Sequence, residues 1–311
     1  MTRRSLRTGL LTFIPLPCII LYIPSIILIL PRCIGDLQAS NPIYSSICGL
    51  FLAYTSVRNQ YEKINNGENE NMKQQNNELT AERKKQLDHD IIAIGVITFA
   101  VLALVIGVFG KQFNGFVYDK ESPVLPRVAV AAICGQFALA GLGITAVCIY
   151  RKEKFTGFGL TRKNLLPALL LSLGCCVPDF IYQLAKGNVH PWCPFIDVFT
   201  TRELLEASIP VKVLGFVLTA AAWGFFEGFN YVVIRDKLSE RYPSKYRFWD
   251  VGAFVCAVMC ILVHGAVGVT PDAFLNMLLT MFLIYGMLIV RKETGNAWGC
   301  VLIFFVYWNA L

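Results

Sequence analysis

The chain has 311 residues, of which 55% are hydrophobic and only 16% charged, with a mean hydropathy of +0.55; an ordinary soluble domain carries about 25% charged residues. Its net charge of +7 comes without a basic stripe or interleaved aromatics, which argues against nucleic acid as a partner. Lys and Arg fall instead in loops between long apolar runs, the pattern of an all-α, polytopic transmembrane helix bundle whose first partner is the lipid bilayer.

About twenty apolar residues cross the hydrocarbon core. Candidate spans lie at 9–30, 43–57, 91–110, 128–150, 165–184, 209–234, 250–269, 272–290 and 297–311, of which the second and the last are short. This predicts eight to nine crossings. The first run follows Arg3, Arg4 and Arg7 but is too long for a signal-peptide core and lacks a small-residue cleavage site, so it reads as a retained span. With the N-terminus in the cytoplasm, the inside loops carry Arg58 to Lys85, Arg151 to Lys163, Arg235 to Arg247, and Arg291 with Lys292. The outside loops carry few basic residues, and nine spans satisfy the bias at every crossing. Segment 58–90 is polar and rich in Asn and Gln, and reads as a flexible or partly helical cytoplasmic linker. It separates an N-terminal transmembrane hairpin, 1–57, from a transmembrane bundle, 91–311.

Of eleven cysteines, nine fall within apolar runs, where a thiol behaves as a small hydrophobe. None has a C-x-x-C metal spacing, and only Cys33 and Cys193 sit in loops.

Polar side chains within spans are costly and mark candidate function. They are Asp179, Glu227, Asn230, His264, Asn276 and Asn309. Glu227 lies in Trp223-Gly-Phe-Phe-Glu-Gly-Phe-Asn-Tyr231, with Asn230 and Tyr231 at i+3 and i+4 on one helix face. Such a carboxylate is a general base, a metal ligand, or a protonated helix contact. Gly224 and Gly228 form a small-xxx-small patch for a neighbouring helix. His264 is the one histidine within a span, and Asn309 closes the last apolar run. At 1.5 Å per residue, His264 and Asn309 sit roughly 20 Å from the inner boundary and Glu227 only about 12 Å. A kink or shift is needed if the three are to form one site. Asp179, after Pro178, reads as the cap of a kink, and Asn276 as a helix contact.

The order of these motifs is informative. A glutamate span, a histidine span and a C-terminal hairpin with Thr294-Gly-Asn-Ala-Trp298 before a terminal Asn resemble the CPBP family, the CAAX prenyl protease type II and bacteriocin-processing (ABI) intramembrane proteases. Phe155-Thr-Gly-Phe-Gly-Leu-Thr-Arg-Lys-Asn164 is similar to the stretch that opens that family's core. The resemblance covers about 150–311. It implies an intramembrane endopeptidase acting on a membrane-anchored or transmembrane peptide, with Glu227, His264 and Asn309 catalytic. Glu227 would activate water, while His264 and Asn309 complete the site and stabilise the oxyanion. Asn230, Tyr231 and Arg235 would support them. No cofactor is required; a divalent metal is compatible with the Glu–His pair. The chain departs from the family pattern at Gly228 (second Glu), Val232 (Arg), Cys260 (Phe) and Phe305 (third-motif His). The alternatives are a catalytically impaired homologue acting as a membrane scaffold or immunity-type protein, and a small-molecule or ion carrier.

Overall fold

A computed structural model of the chain describes residues 80–196, 198, 201–264 and 270–310, all within one compact unit, Leu52–Leu311. The expected spans at 9–30 and 43–57, residues 58–79 of the expected linker, and Cys33 lie outside the described residues. Every regular element among the described residues is a helix. Apart from a short 3-10 helix at Phe155–Phe158, in chain order these are α1 (Ala81–Val108), α2 (Gly110–Val117), α3 (Val124–Arg151), α4 (Leu165–Ala185), α5 (Thr201–Glu206), α6 (Ile209–Arg241), α7 (Val251–Val263), α8 (Pro271–Thr294) and α9 (Trp298–Trp308).

Five of them, α1, α3, α4, α6 and α8, are long and apolar enough to cross a membrane. They account for five of the nine sequence-predicted spans. The runs expected to cross at 250–269 and 297–311 hold the shorter α7 and α9. The thirteen residues of α7 rise only about 20 Å, against a hydrocarbon core of about 30 Å.

The helix ends follow local chemistry. Thr80, Asp250 and Thr270 each cap an N-terminus by accepting from the backbone N–H three residues on. Gly295, with φ +69°, closes α8 in the left-handed conformation that glycine adopts without strain. Within the segment expected to be a flexible or partly helical linker, residues 81–90 are helical and form the first turns of α1. Ion pairs dock them on α3 and α6, from Arg83 to Glu240, Arg241 to Asp88, and Lys237 and Arg151 to Asp90.

Two loop segments that carry the resemblance interlock at one end of the bundle. Ala297 N–H donates to the Gly159 carbonyl at 2.8 Å. The fully buried Asn296 donates to the carbonyls of Thr161 and Lys163 at 2.8 and 2.7 Å, and Asn164 donates to that of Thr294 at 2.9 Å. Gly159 has φ +87° and lies close under Arg291 and Gly295, leaving no space for a Cβ. From this end α6 and α7 run antiparallel: Gly252 packs on the Arg235 backbone, and one turn further Cys256 Sγ meets the Tyr231 carbonyl at 3.6 Å. The core is built around them from Phe229, Val232, Val233, Cys256, Cys260, Leu283, Ile284, Met287, Cys300 and Phe304. The cysteines among the described residues are free thiols, Cys193 included.

Candidate functional site

Two helices widen just before the residues of interest. In α6 the segment Ala220–Phe226 is π-helical, and Glu227 is the next residue. In α9 the segment Phe304–Trp308 is π-helical, and Asn309 follows it. Such insertions disturb the ladder of main-chain hydrogen bonds and recur at functional sites. The two segments pack on each other where Gly224 meets the Phe305 ring; a Cβ at Gly224 would lie 2.5–2.8 Å from it. One turn on, a Cβ at Gly228 would lie 2.9 Å from the Cys300 carbonyl oxygen. The small-xxx-small patch therefore receives α9.

The structure brings Glu227, His264 and Asn309 together. The imidazole Nε2 of His264 stands 3.5 Å from Oε1 of Glu227. The Asn309 side chain also interacts with that carboxyl. Its amide donates to the Phe304 carbonyl at 3.1 Å and reaches the Trp223 carbonyl at 3.4 Å. Side-chain exposure is 6% at Glu227 and 38% at His264, so the carboxyl lies behind an open imidazole. Oε2 of Glu227 is buried and has no hydrogen-bond partner among the described residues. The Trp308 ring meets the His264 ring edge-on, with centroids 5.7 Å apart.

The difference in depth between Glu227 and His264 has a geometric answer. Each Cα–Cβ bond tilts toward the N-terminus of its own helix. In the antiparallel pair α6 and α7, the Glu227 and His264 side chains therefore lean toward each other. Gly252 against Arg235 and Cys256 against Tyr231 set a register in which Cys260 is level with Glu227. His264 stands one turn beyond, about 6 Å along the axis, a gap the two side chains span.

The expected supporting residues are elsewhere. Tyr231 is buried against α7 and α9, its ring stacked on Phe304 and its hydroxyl meeting the Cys260 thiol. Asn230 is half-buried on α6. Arg235 is turned to the other end of the bundle, where it pairs with Asp250 at 2.5 Å and Asp236 at 2.8 Å. Asp179, expected to cap a kink, instead accepts from the Tyr307 hydroxyl of α9 at 2.7 Å. It also accepts from Gln183, which bonds Asn276 of α8 at 3.0 Å, so Asn276 does make a helix contact. The sequence carried no sign of Trp308 or of the Asp179–Tyr307 pair, because both depend on how α9 is turned.

No three His, Cys, Asp or Glu side chains gather as a metal site among the described residues. No family model, curated protein or solved structure matches the chain.

Proposed function

We propose that the chain is an intramembrane endopeptidase in which Glu227 activates water. One observation carries the reading: the 3.5 Å approach of His264 to a buried Glu227 whose second oxygen has no hydrogen-bond partner among the described residues. In this reading a water bound between carboxylate and imidazole gives its proton to Glu227. Its oxygen attacks the peptide carbonyl, the C–N bond breaks, and the leaving amine takes up a proton relayed through Glu227 and His264. The 3.5 Å gap is longer than a closed hydrogen bond, as is common for catalytic pairs before substrate binds. Asn309 steadies the carboxyl. The substrate is a peptide anchored in or at the membrane, and the protein crosses the bilayer nine times with its N-terminus in the cytoplasm.

A non-catalytic scaffold is the second reading, and particular packing favours it. Phe305 fills the third-motif His position against Gly224 and Phe195, Gly228 leaves no room for a second carboxylate, and the Asn309 amide is engaged by helix carbonyls. Cleavage of a lipidated or single-span peptide by protein purified in nanodiscs separates the two. Removing a general base costs on the order of 10²–10⁴ in rate, so Glu227→Gln and His264→Ala should each lose at least about a hundredfold in kcat. Equal turnover in both variants would end the protease reading.

A further inference from the structure

Asp179 is a carboxylate with 8% exposure in the last third of a candidate span, and the endopeptidase chemistry does not use it. It faces α9 from the side opposite Glu227. Tyr307 bonds Asp179 of α4 while the Asn309 amide reaches Trp223 of α6, so a bond to one face of α9 sets where the other face points. The Tyr307–Asp179 bond runs beside an apolar crevice of about 210 Å³ lined by Leu173, Cys176, Val177, Phe180, Val306 and Tyr307. In such low-dielectric surroundings a hydrogen bond to a carboxylate is strong and costly to leave unmade. Asp179 is itself held by Gln183, which ties it to Asn276 of α8.

The widened turn of α9 relies on side chains to satisfy its carbonyls. Asn309 donates to Phe304 O, and the Trp192 indole donates to Val306 O at 2.9 Å. A π-helical turn holds one residue more than an α-helical turn. Closing it to regular α-helix would rotate everything after it by about 100°. Asn309 would leave Glu227, and Trp308 would leave His264.

We propose that the Asp179–Tyr307 hydrogen bond is a register lock: it holds the π-helical turn of α9 open and thereby keeps Asn309 and Trp308 on the Glu227–His264 pair. Both are positioning residues, acting through α9. The proposal deepens the endopeptidase reading, but the geometry it concerns can be read without turnover. An imidazole edge against an indole alters its emission, so the step in tryptophan emission between proteins with and without the His264→Gln change reports the contact of His264 with Trp308. Trp308→Phe and His264→Gln identify the signal among the five tryptophans.

Tyr307→Phe, which deletes a single oxygen, should lose most of that emission step, as should Asp179→Ala. Asp179→Asn keeps an acceptor for the hydroxyl and should retain the step to within twofold. Gln183→Leu leaves the pair itself intact and should retain it too. In an active preparation Tyr307→Phe should lower kcat by about a hundredfold, the scale of a 1 Å misplacement, with KM nearly unchanged. A full emission step in Tyr307→Phe overturns the proposal. So does a loss in Gln183→Leu as large as in Tyr307→Phe, since any disturbance of α4 would then suffice. If the protease reading fails, turnover is absent throughout while the fluorescence still reports the register.

Discussion

Gly228 occupies the place where the resemblance would put a second carboxylate, and the packing shows what such a side chain would meet. A Cβ there lies 2.9 Å from the Cys300 carbonyl oxygen and 3.0 Å from the Val301 Cα, both main-chain atoms that cannot swing aside. Glycine inside a helix is ordinarily about 1 kcal/mol worse than alanine, whereas overpacking a tight contact costs about 1–3 kcal/mol. The clash should win. Gly228→Ala is expected to lower the melting temperature in detergent, and Gly228→Glu to prevent α9 from docking rather than to restore a motif. A stabilised Gly228→Ala protein would show that the contact is looser than described. At this scale the sequence marked Glu227, His264 and Asn309 as costly polar groups, and Gly224 and Gly228 as a helix contact. It left the roles of Tyr307 and Trp308 unread, because an aromatic in an apolar run looks the same whether it packs in lipid or bonds a buried carboxylate.

Among the elements, the basic residues show where reading stopped. Arg235, Lys237, Arg241, Arg291 and Lys292 were legible as a topological signal. Folded, they are partners in ion networks. Lys237 is 2% exposed and bonds Asp90, also 2% exposed, at 2.8 Å, and Glu153 at 2.7 Å. Breaking a buried pair on one side costs about 3–5 kcal/mol, because a charge is left unpaired. Lys237→Met should therefore destabilise strongly, and Lys237→Met with Asp90→Asn together by less than the sum of the two single changes, as a double-mutant cycle on unfolding would show. Asp250, which caps α7, carries a pH signature. Burial alone would push its carboxyl up, but bonds from Arg235, Ser239 and the Ala253 N–H hold it below the ordinary 3.8. A depressed carboxyl stabilises the fold above its unfolded value, and that contribution disappears as pH falls through the folded value. The deficit in melting temperature of Asp250→Asn should be full at pH 7 and shrink below about pH 3.8. Helix existence was legible from apolar runs for every described span. The π-helical segments were not, because the packing of Gly224 on Phe305 and the bond of Tyr307 to Asp179 are tertiary. Without them, and without the opposed tilt of side chains on α6 and α7, counting residues left Glu227 and His264 at different depths.

For the whole molecule, the nine-crossing arrangement proposed above predicts that 242–249 and 186–196 lie on opposite sides of the membrane. Single cysteines placed at Lys245 and Asn188 in a background free of other cysteines should react with an impermeant maleimide from opposite sides of sealed vesicles. Labelling of both from one side would remove a crossing between them. The interlocked loops carry a mechanical consequence as well. Where Asn296, Asn164 and Gly159 join the chain to itself, main-chain groups are crosslinked and Lys292 clasps the carbonyls of Arg247 and Trp249. At the far ends of α7 and α9, Glu227 and His264 face each other across an unclosed 3.5 Å gap. The bundle is thus pinned like a clothes-peg at its knotted end, with the carboxylate at the other; on the endopeptidase reading proposed above, a polypeptide entering from the lipid would part the helices at that second end first.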